Sequence, residues 1–430
     1  MKLKFIFTRV VFLSVLSFLL SLSACDTDIG PKEELDIVFR SFDKKIGTRF
    51  TPLPKDLFAI PKLTEIVFEH AGNADAIWGA TGSDDQGNIY FGASTHGVEN
   101  QTAYLYQYEP EKGGITRQGD VLEQLKTNGV FSKGMGQNKL HSKFYQANDG
   151  YVYFSSFDEG GEREGVNPTW GGHLWRKKPS ASQWEHVFSS EEALIAINTN
   201  GRFVYALGYW DHVLYQYDTQ TNRKKRVVVG SLNQHVSRNF LVDEFGHAYV
   251  PKVIKNNFNE VEVYLNEYDV TLNLIGSYPM DSYRQQDMNE HHGIVGHTSL
   301  ENGNIIFTTS EGGMYQINTH SQGDEKLSYK GTMHPNGQAY IPSLFSFSGE
   351  SYVAGVGRSI KGYEWIVFDL DSGMAVNQPL NTDGLKGLLL YGSLTKDSEG
   401  HFYLGGWVSK ENNVRGYKGY RPIFIKLSID

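Results

Sequence analysis

One cysteine stands in 430 residues, Cys25, at the end of an N-terminal leader. The rest of the chain therefore holds no disulfide framework, no zinc-thiolate site and no cysteine nucleophile. Its chemistry falls to His, Tyr, Arg, Lys and carboxylates. The leader's apolar run, Val10 to Leu22, is about 13 residues, against the ~20 that span a bilayer. Basic charge is in the minority, with 40 Lys and Arg against 49 Asp and Glu, a net −9. That argues against nucleic acid, which selects basic patches. An acidic polysaccharide would meet basic groups only where they are gathered locally.

What is present is a folded, β-leaning composition: 40% hydrophobic and 21% charged, with 46 Gly, 25 Tyr, 25 Phe and 7 Trp. Disorder, coiled coil and collagen are excluded. Lys2, Lys4 and Arg9 ahead of the short apolar run make residues 1–24 a signal peptide. Its end, Leu22-Ser23-Ala24-Cys25, resembles a bacterial lipobox. The resemblance implies a diacylated Cys25, cleavage before it and an acylated new N-terminus. That describes a lipoprotein of the cell envelope, facing the periplasm or lying on the outer-membrane surface. Two or more acyl chains make such anchoring to a membrane stable. An ordinary secretory cut with an incidental cysteine is the other reading. Losing the leader removes three positive charges and no negative ones, taking the net charge from −9 to −12. Residues 25–56 read as the lipidated N-terminus and a polar tether.

Beyond residue 56 no stretch keeps a helical period, and short Tyr, Val, Ile and Phe runs alternate with Gly, Asp and Asn turns. Three segments match as D-x-x-G-x-x-Y: Asp84 to Tyr90, Asp243 to Tyr249 and Asp397 to Tyr403. Looser copies surround Gly150, Gly201, Gly303 and Gly349, so with Gly87, Gly246 and Gly400 there are seven turn glycines, about 52 residues apart. A period near 50 in all-β sequence signals a propeller with four strands per blade. The expectation is an all-β, seven-bladed β-propeller over residues 57–430, monomeric. The ring would close by pairing a strand ahead of Asp84 with Pro422 to Leu427.

In such a blade the first strand starts on the face opposite the D-x-x-G turn, and the second strand returns there. First-strand starts and second-strand exits therefore converge on one funnel. Counting from the turns puts His96, His141, His173, His212, His235, His291, His292 and His297 on this face, with only His247 and His401 in the opposite turns. Histidine suits proton transfer near neutrality and is the commonest metal ligand. Three segments are densest: Lys139 to Lys143 with the Gly-rich loop up to His173, Tyr209-Trp210-Asp211-His212, and Gln234 to Asn239. Adjacent blades carry them, so their side chains can meet around one ligand.

The lipobox leader and the seven-copy ring with a His, Tyr and Arg funnel resemble the β-propeller polysaccharide lyases, which include the oligogalacturonate, ulvan and rhamnose-glucuronate types. Leu140-His141-Ser142-Lys143 before Asp149 to Phe154, and Gly171 to Arg176 before Leu207-Gly208-Tyr209, look like the matching blades of oligogalacturonate-type lyases, over roughly residues 139–240. Those enzymes often carry a second histidine where this chain reads Ser155-Ser156-Phe157-Asp158; His173 either takes that duty or the activity differs.

The implied chemistry is β-elimination on an acidic polysaccharide or oligosaccharide. A uronate C5 proton leaves only if the carboxylate is neutralised, and a base and an acid then serve C5 and O4. Arg238, alone or with a divalent cation, neutralises; His141 and Tyr209 share the base and acid roles in either order. His173, His212, Trp170 and Trp210 are candidate subsite residues, and His235 and His292 candidate metal ligands. Two other classes stay open: a non-catalytic glycan- or protein-binding surface lipoprotein, and hydrolysis by paired carboxylates among Asp158, Glu159, Asp211, Asp287 and Glu311.

Overall fold

The D-x-x-G-x-x-Y segments fold as the turns their composition asks for. The computed structural model describes residues 52–97, 101–162, 164–209, 211–231, 237–283, 293–337, 339–349, 351–410 and 419–429. Asp84 Oδ1 accepts the backbone N–H groups of Gln86 (3.0 Å) and Asn88 (2.9 Å), and Oδ2 accepts the Tyr90 hydroxyl (2.8 Å). Asp243 binds His247 N and Tyr249 Oη in the same way, both at 2.8 Å. Asp397 takes His401 N (2.9 Å) and Tyr403 Oη (2.7 Å). Even the looser copy at Asp149 holds Tyr151 N (3.1 Å) and Tyr153 Oη (2.8 Å). In these four turns one carboxylate thus closes the turn and satisfies a buried tyrosine on the strand that follows. The glycines at 87, 150, 201, 246, 303, 349 and 400 all have φ between 80° and 98°, the left-handed region that favours glycine.

Each of these turns joins the first strand of an antiparallel run to the second. Five runs stand as separate four-stranded sheets. Four of them begin at Ala193–Thr199, Leu241–Val242, Ile294–Ser299 and Tyr340–Ser346. The fifth closes the ring: Lys62–Glu65 pairs with the last strand, Tyr420–Ser428, setting Leu63 opposite Leu427 and Glu65 opposite Ile425. Arg421 forks onto both oxygens of Glu65 across this seam. The main chain ahead of this seam is already packed in, because Leu57 is buried among Trp365, Phe402 and Ile423 and its carbonyl accepts the Trp365 indole N–H (3.2 Å). Apolar clusters such as this one, and that of Tyr205, Leu207, Phe240 and Val250, fill the space between neighbouring sheets.

The result is an all-β propeller, but the sheets do not separate into the seven expected. The strands between Thr81–Ser83 and Glu185–Ser190 form one nine-stranded sheet, because Thr81–Ser83 and Phe144–Gln146 pair in parallel with Gly82 opposite Phe144. A Cβ on Gly82 would lie 2.0 Å from the Phe144 carbonyl oxygen. Lacking one, Gly82 lets the two inner strands close to bonding distance.

A helix also departs from expectation. Val121–Thr127 is capped by the Asp120 carboxylate, which accepts the Glu123 N–H at 3.0 Å, and it buries Val121, Leu122 and Leu125. Seven residues are too few for a period to register in the sequence. No helix among the described residues is long and apolar enough to cross a membrane. Cys25 and the leader lie outside the described residues.

Two glycine substitutions separate the two demands on glycine. At Gly87 a Cβ meets nothing within 4 Å, so Gly87→Ala costs only left-handed strain, about 1–2 kcal/mol. Gly82→Ala forces two backbones apart and is expected to cost more in a urea melt. Equal losses would contradict the role given to the parallel pair.

Candidate functional site

The first strand of the run after the helix is broken where the site begins. Lys139–Leu140 pairs with Phe157 and Ser156, Phe144–Gln146 pairs lower on the same neighbour, and His141, Ser142 and Lys143 leave the ladder between them. The Ser142 hydroxyl replaces a lost backbone acceptor, taking the Ser155 N–H at 2.8 Å. The break is thereby satisfied, and it frees His141 and Lys143 for other partners.

His141 is partly open to solvent, and its Nδ1 lies 3.3 Å from the Ile195 carbonyl of the next sheet. A carbonyl only accepts, so the bond places the proton on Nδ1 and leaves Nε2 as the acceptor. Burial, with the charges of Arg238, Lys143 and Lys139, holds its pKa well below the usual histidine range. The Phe157 ring lies between His141 and Tyr209, with centroids 6.2 Å from each. Tyr209 ends the second strand of the next sheet, is 3% exposed and donates its hydroxyl to Glu162 Oε1 at 3.2 Å. Burial and the Glu162 carboxylate push its pKa well up, against the opposing pull of Arg238.

Arg238 acts on both groups, disfavouring charge on His141 and favouring it on Tyr209. Its segment is pinned by neighbours: Ser237 Oγ accepts Ile294 N–H (3.1 Å), and Asn239 Nδ2 donates to the carbonyls of Ile294 (3.0 Å) and Val295 (3.2 Å). Among the described residues Arg238 has no carboxylate partner. His141, Tyr209 and Arg238 are therefore brought together.

One further group makes this region basic. Lys143 Nζ donates to the carbonyls of Gly79 (3.0 Å) and Gly392 (2.6 Å), with no carboxylate partner among the described residues, and burial lowers its pKa to about 7. Its charge, after burial, also helps lower His297 to about 3. Behind Tyr209, the buried Glu192 carboxylate accepts backbone N–H groups of Asp211, His212 and Val213, the last at 3.2 Å, and burial raises its pKa to about 7. This latch holds the strand exit that carries Tyr209. His212 there has φ 55°.

Other expected members lie elsewhere. His173 is 2% exposed and turns to the outer strand, its Nδ1 3.0 Å from His186 Nε2 and its ring against Trp175. It sits on the third strand of its run, and burial takes its pKa down to about 3. Trp170 packs on the apolar cluster of Trp175 and Trp184, and its N–H is fixed by Asp158 (3.2 Å), so it serves packing. His212 is buried beside Lys252, with its pKa lowered by burial to about 4. Trp210, His235, His291, His292 and Asp287 lie outside the described residues.

The carboxylates considered for hydrolysis have local duties. Asp158 caps its loop through Gly160 N (2.9 Å), and Glu159 pairs with Lys139 (2.7 Å) and accepts Gly97 N–H (2.7 Å). Among the described residues the groups of three able to hold a metal are in the opposite turns, Asp243-His247-Glu267 and Asp397-Glu399-His401. In the first of these the Lys326 ammonium already lies 3.3 Å from Glu267, which also accepts Tyr249 and Tyr278 hydroxyls. Sequence reading gave no role to Phe157, Glu162 and Glu192, and marked Lys143, two residues from His141, only as part of the dense segment Lys139 to Lys143.

No family model and no curated protein sequence matches the chain. Solved propellers do resemble it. The β-propeller domain of Cps50 (Swd1) from Myceliophteria thermophila superposes with TM-score 0.51 at 12% identity, over 86% of this chain and 100% of that one. YCF48 bound to a D1 peptide gives 0.49 at 9% identity, over 89% and 98% of the two chains. U3-55K gives 0.48 at 10% identity, over 86% and 100%. At these identities the likeness to the Cps50 domain speaks for the fold alone.

The pKa directions set the sign of the acid response. His173, His212 and His297 fold with values near 3, 4 and 3 against an ordinary 6.5, so below pH 6.5 the unfolded chain binds more protons and stability falls as pH falls. Glu192, raised to about 7, works the other way: between about 4.5 and 7 the native form holds the extra proton, and stability falls as pH rises. Glu192→Gln removes the opposing contribution. Its melting temperature is expected to drop more steeply between pH 7 and 5 than that of the parent, and an equal or shallower slope would contradict a protonated Glu192.

Proposed function

We propose that the protein is a polysaccharide lyase that cleaves a uronate-containing glycan by β-elimination. The observation that carries this is Arg238, a guanidinium with no carboxylate partner among the described residues, acting on a neutral His141 and a protonated Tyr209. The count of blades is part of the same reading. Taking the nine-stranded sheet as two blades joined at their inner strands makes the ring seven-bladed, and the seven equivalent turn glycines support that count.

Arg238 receives the uronate carboxylate and steadies the enolate charge that develops when C5 loses its proton. His141 suits the base, because its lowered pKa keeps it neutral at pH 7 and its Nδ1 is taken by Ile195, leaving Nε2 to accept. Tyr209 suits the acid, because its raised pKa keeps the proton available for O4 of the leaving sugar. The bonds balance. C5–H and C4–O4 break, the C4–C5 double bond forms, His141 Nε2 gains the C5 proton and Tyr209 Oη gives its proton to O4; the Tyr209 phenolate then takes a proton from solvent and the His141 imidazolium returns one to it. Should a divalent cation assist Arg238, His235 and His292 are the ligands proposed for it.

Attachment through Cys25 would hold the ring at the cell envelope within reach of extracellular glycan. Cys25→Ser is then expected to release the protein from the membrane fraction, and unchanged membrane fractionation would remove the lipid anchor from the account.

Elimination gives an unsaturated uronate, followed by ultraviolet absorbance on a panel of ulvan, pectic, rhamnogalacturonan and arabinogalactan substrates. His141→Ala and Tyr209→Phe are expected to lower the rate by about 10² to 10⁴. His247→Ala, in an opposite-face turn, is expected to change it little. If both variants match the parent, or no substrate yields the absorbance while binding persists, a binding module becomes the better reading.

A further inference from the structure

The metal-capable groups in the opposite turns are built of histidine and carboxylates. A different donor set, of imidazole and hydroxyl, stands on the outer strands of the run that begins at Lys139, and the proposed reaction does not use it. Gly172–Lys177 and Glu185–Ser190 pair antiparallel, with His186 opposite Trp175 and Ser189 opposite His173. Residues 186 and 189 are an odd number of positions apart, so in a regular strand their side chains would point to opposite faces. A bulge between His186 and Phe188 takes up the extra residue, and both side chains join His173 on one face. His173 Nδ1 and His186 Nε2 come to 3.0 Å, and Ser189 Oγ stands 3.4 Å from each.

Three donor atoms thus surround one point. Metal–imidazole bonds are about 2.0–2.1 Å, so an ion bound by both nitrogens at their 3.0 Å separation would see them at about 95°. That angle belongs to a cis pair of a square or octahedral ion and is narrower than a tetrahedral one. Among the described residues no carboxylate charge acts on either ring. Nitrogen donors at this angle favour Cu(II) or Ni(II), whereas Mg(II) and Ca(II) want oxygen ligands. The surroundings suit such an ion. The His186 backbone N–H donates to Asn128 Oδ1 at 3.1 Å, which ties the bulged strand to the residue that caps the end of the helix Val121–Thr127. The Phe188 backbone favours a proton on the His186 ring, and since Nε2 faces His173, Nδ1 carries that proton and Nε2 keeps its lone pair. His173 Nε2 has no partner among the described residues, so nothing on the far side of that ring fixes its tautomer, and its proton can move to Nε2 when Nδ1 takes a metal. His173 is buried, His186 half-buried and Ser189 exposed, which gives an ion a way in from solvent.

We propose that His173 Nδ1, His186 Nε2 and Ser189 Oγ form a binding site for a divalent transition-metal ion, Cu(II) or Ni(II), which clips the two outer strands together while water completes its coordination. The site shares no residue with the cluster of His141, Tyr209 and Arg238 and does not depend on the lyase reading.

The Trp175 ring centroid lies 5.9 Å from that of His173 and 5.2 Å from that of His186, so a paramagnetic ion held there would quench its fluorescence. The experiment titrates the metal-free full chain with copper(II), nickel(II) and magnesium chlorides. One tight equivalent of Cu(II) is expected to quench tryptophan fluorescence and to show, by electron paramagnetic resonance, nitrogen couplings from two imidazoles, with Mg(II) without effect. His186→Gln, at a half-buried position, is expected to weaken Cu(II) binding by about tenfold or more. Unchanged affinity in a folded His186→Gln would overturn the proposal. So would bound copper that neither quenches nor couples to two imidazole nitrogens, or Mg(II) that quenches equally. Should His186→Gln fail to fold, the resonance spectrum of the parent decides alone.

Discussion

The fold depends on a carboxylate that does two jobs at once. In a D-x-x-G-x-x-Y turn the aspartate takes the backbone N–H groups of the turn and the hydroxyl of a tyrosine buried on the next strand. A buried tyrosine without that acceptor would leave a costly unpaired hydroxyl, and a turn without that cap would leave orphan N–H groups. Because the bond fixes the end of the first strand and the start of the second, it also fixes where both strands finish on the other face. The positions of His141 and Arg238 follow from it; in the run that carries Tyr209, Thr199 and Asn200 cap the turn instead and Tyr205 gives its hydroxyl to the Gly246 carbonyl.

On that other face the chain does something its composition does not advertise. A protein with net charge −9 gathers Arg238 and Lys143 beside a neutral His141, with neither cation answered by a carboxylate among the described residues. The break in the inner strand makes this feasible, since Ser142 satisfies the ladder that His141 and Lys143 abandon. Lys143 is held by two backbone carbonyls instead of an acid, so it adds positive potential without a compensating negative charge. The acidic groups nearby are placed to serve other atoms: Glu162 polarises Tyr209, Glu159 neutralises Lys139, and Glu192 ties down the strand exit.

Much of this was legible in the sequence, and the losses have physical causes. The turn motif announced the propeller and the ring closure, because a tight turn has strict needs that leave marks on Asp, Gly and Tyr. The fusion of two runs into one nine-stranded sheet was not legible, because it turns on the missing side chain of Gly82 at a contact 62 residues away in sequence. Counting along strands put His141, Tyr209 and Arg238 on one face, and in the structure Arg238 acts on both of the others. The same counting misplaced His173, since a third-strand residue can turn outward, and here His186 supplies a partner that draws it there. Trp170 misled for a similar reason: a half-exposed tryptophan in a Gly-rich loop reads as a stacking platform, but a neighbouring core had room for it. The ring contact between Trp78 and Trp407 joins residues more than 300 positions apart, which only closure of the ring brings together.

The central claim is that Arg238 serves a carboxylate while a C5 proton is removed. It is tested most directly by the mass of the products. Elimination leaves one new chain end lighter by a water than hydrolysis would, and the account predicts that lighter end from at least one uronate glycan, lost in Arg238→Gln while the variant stays folded. Products carrying the added water, or an undiminished yield from Arg238→Gln, would contradict it.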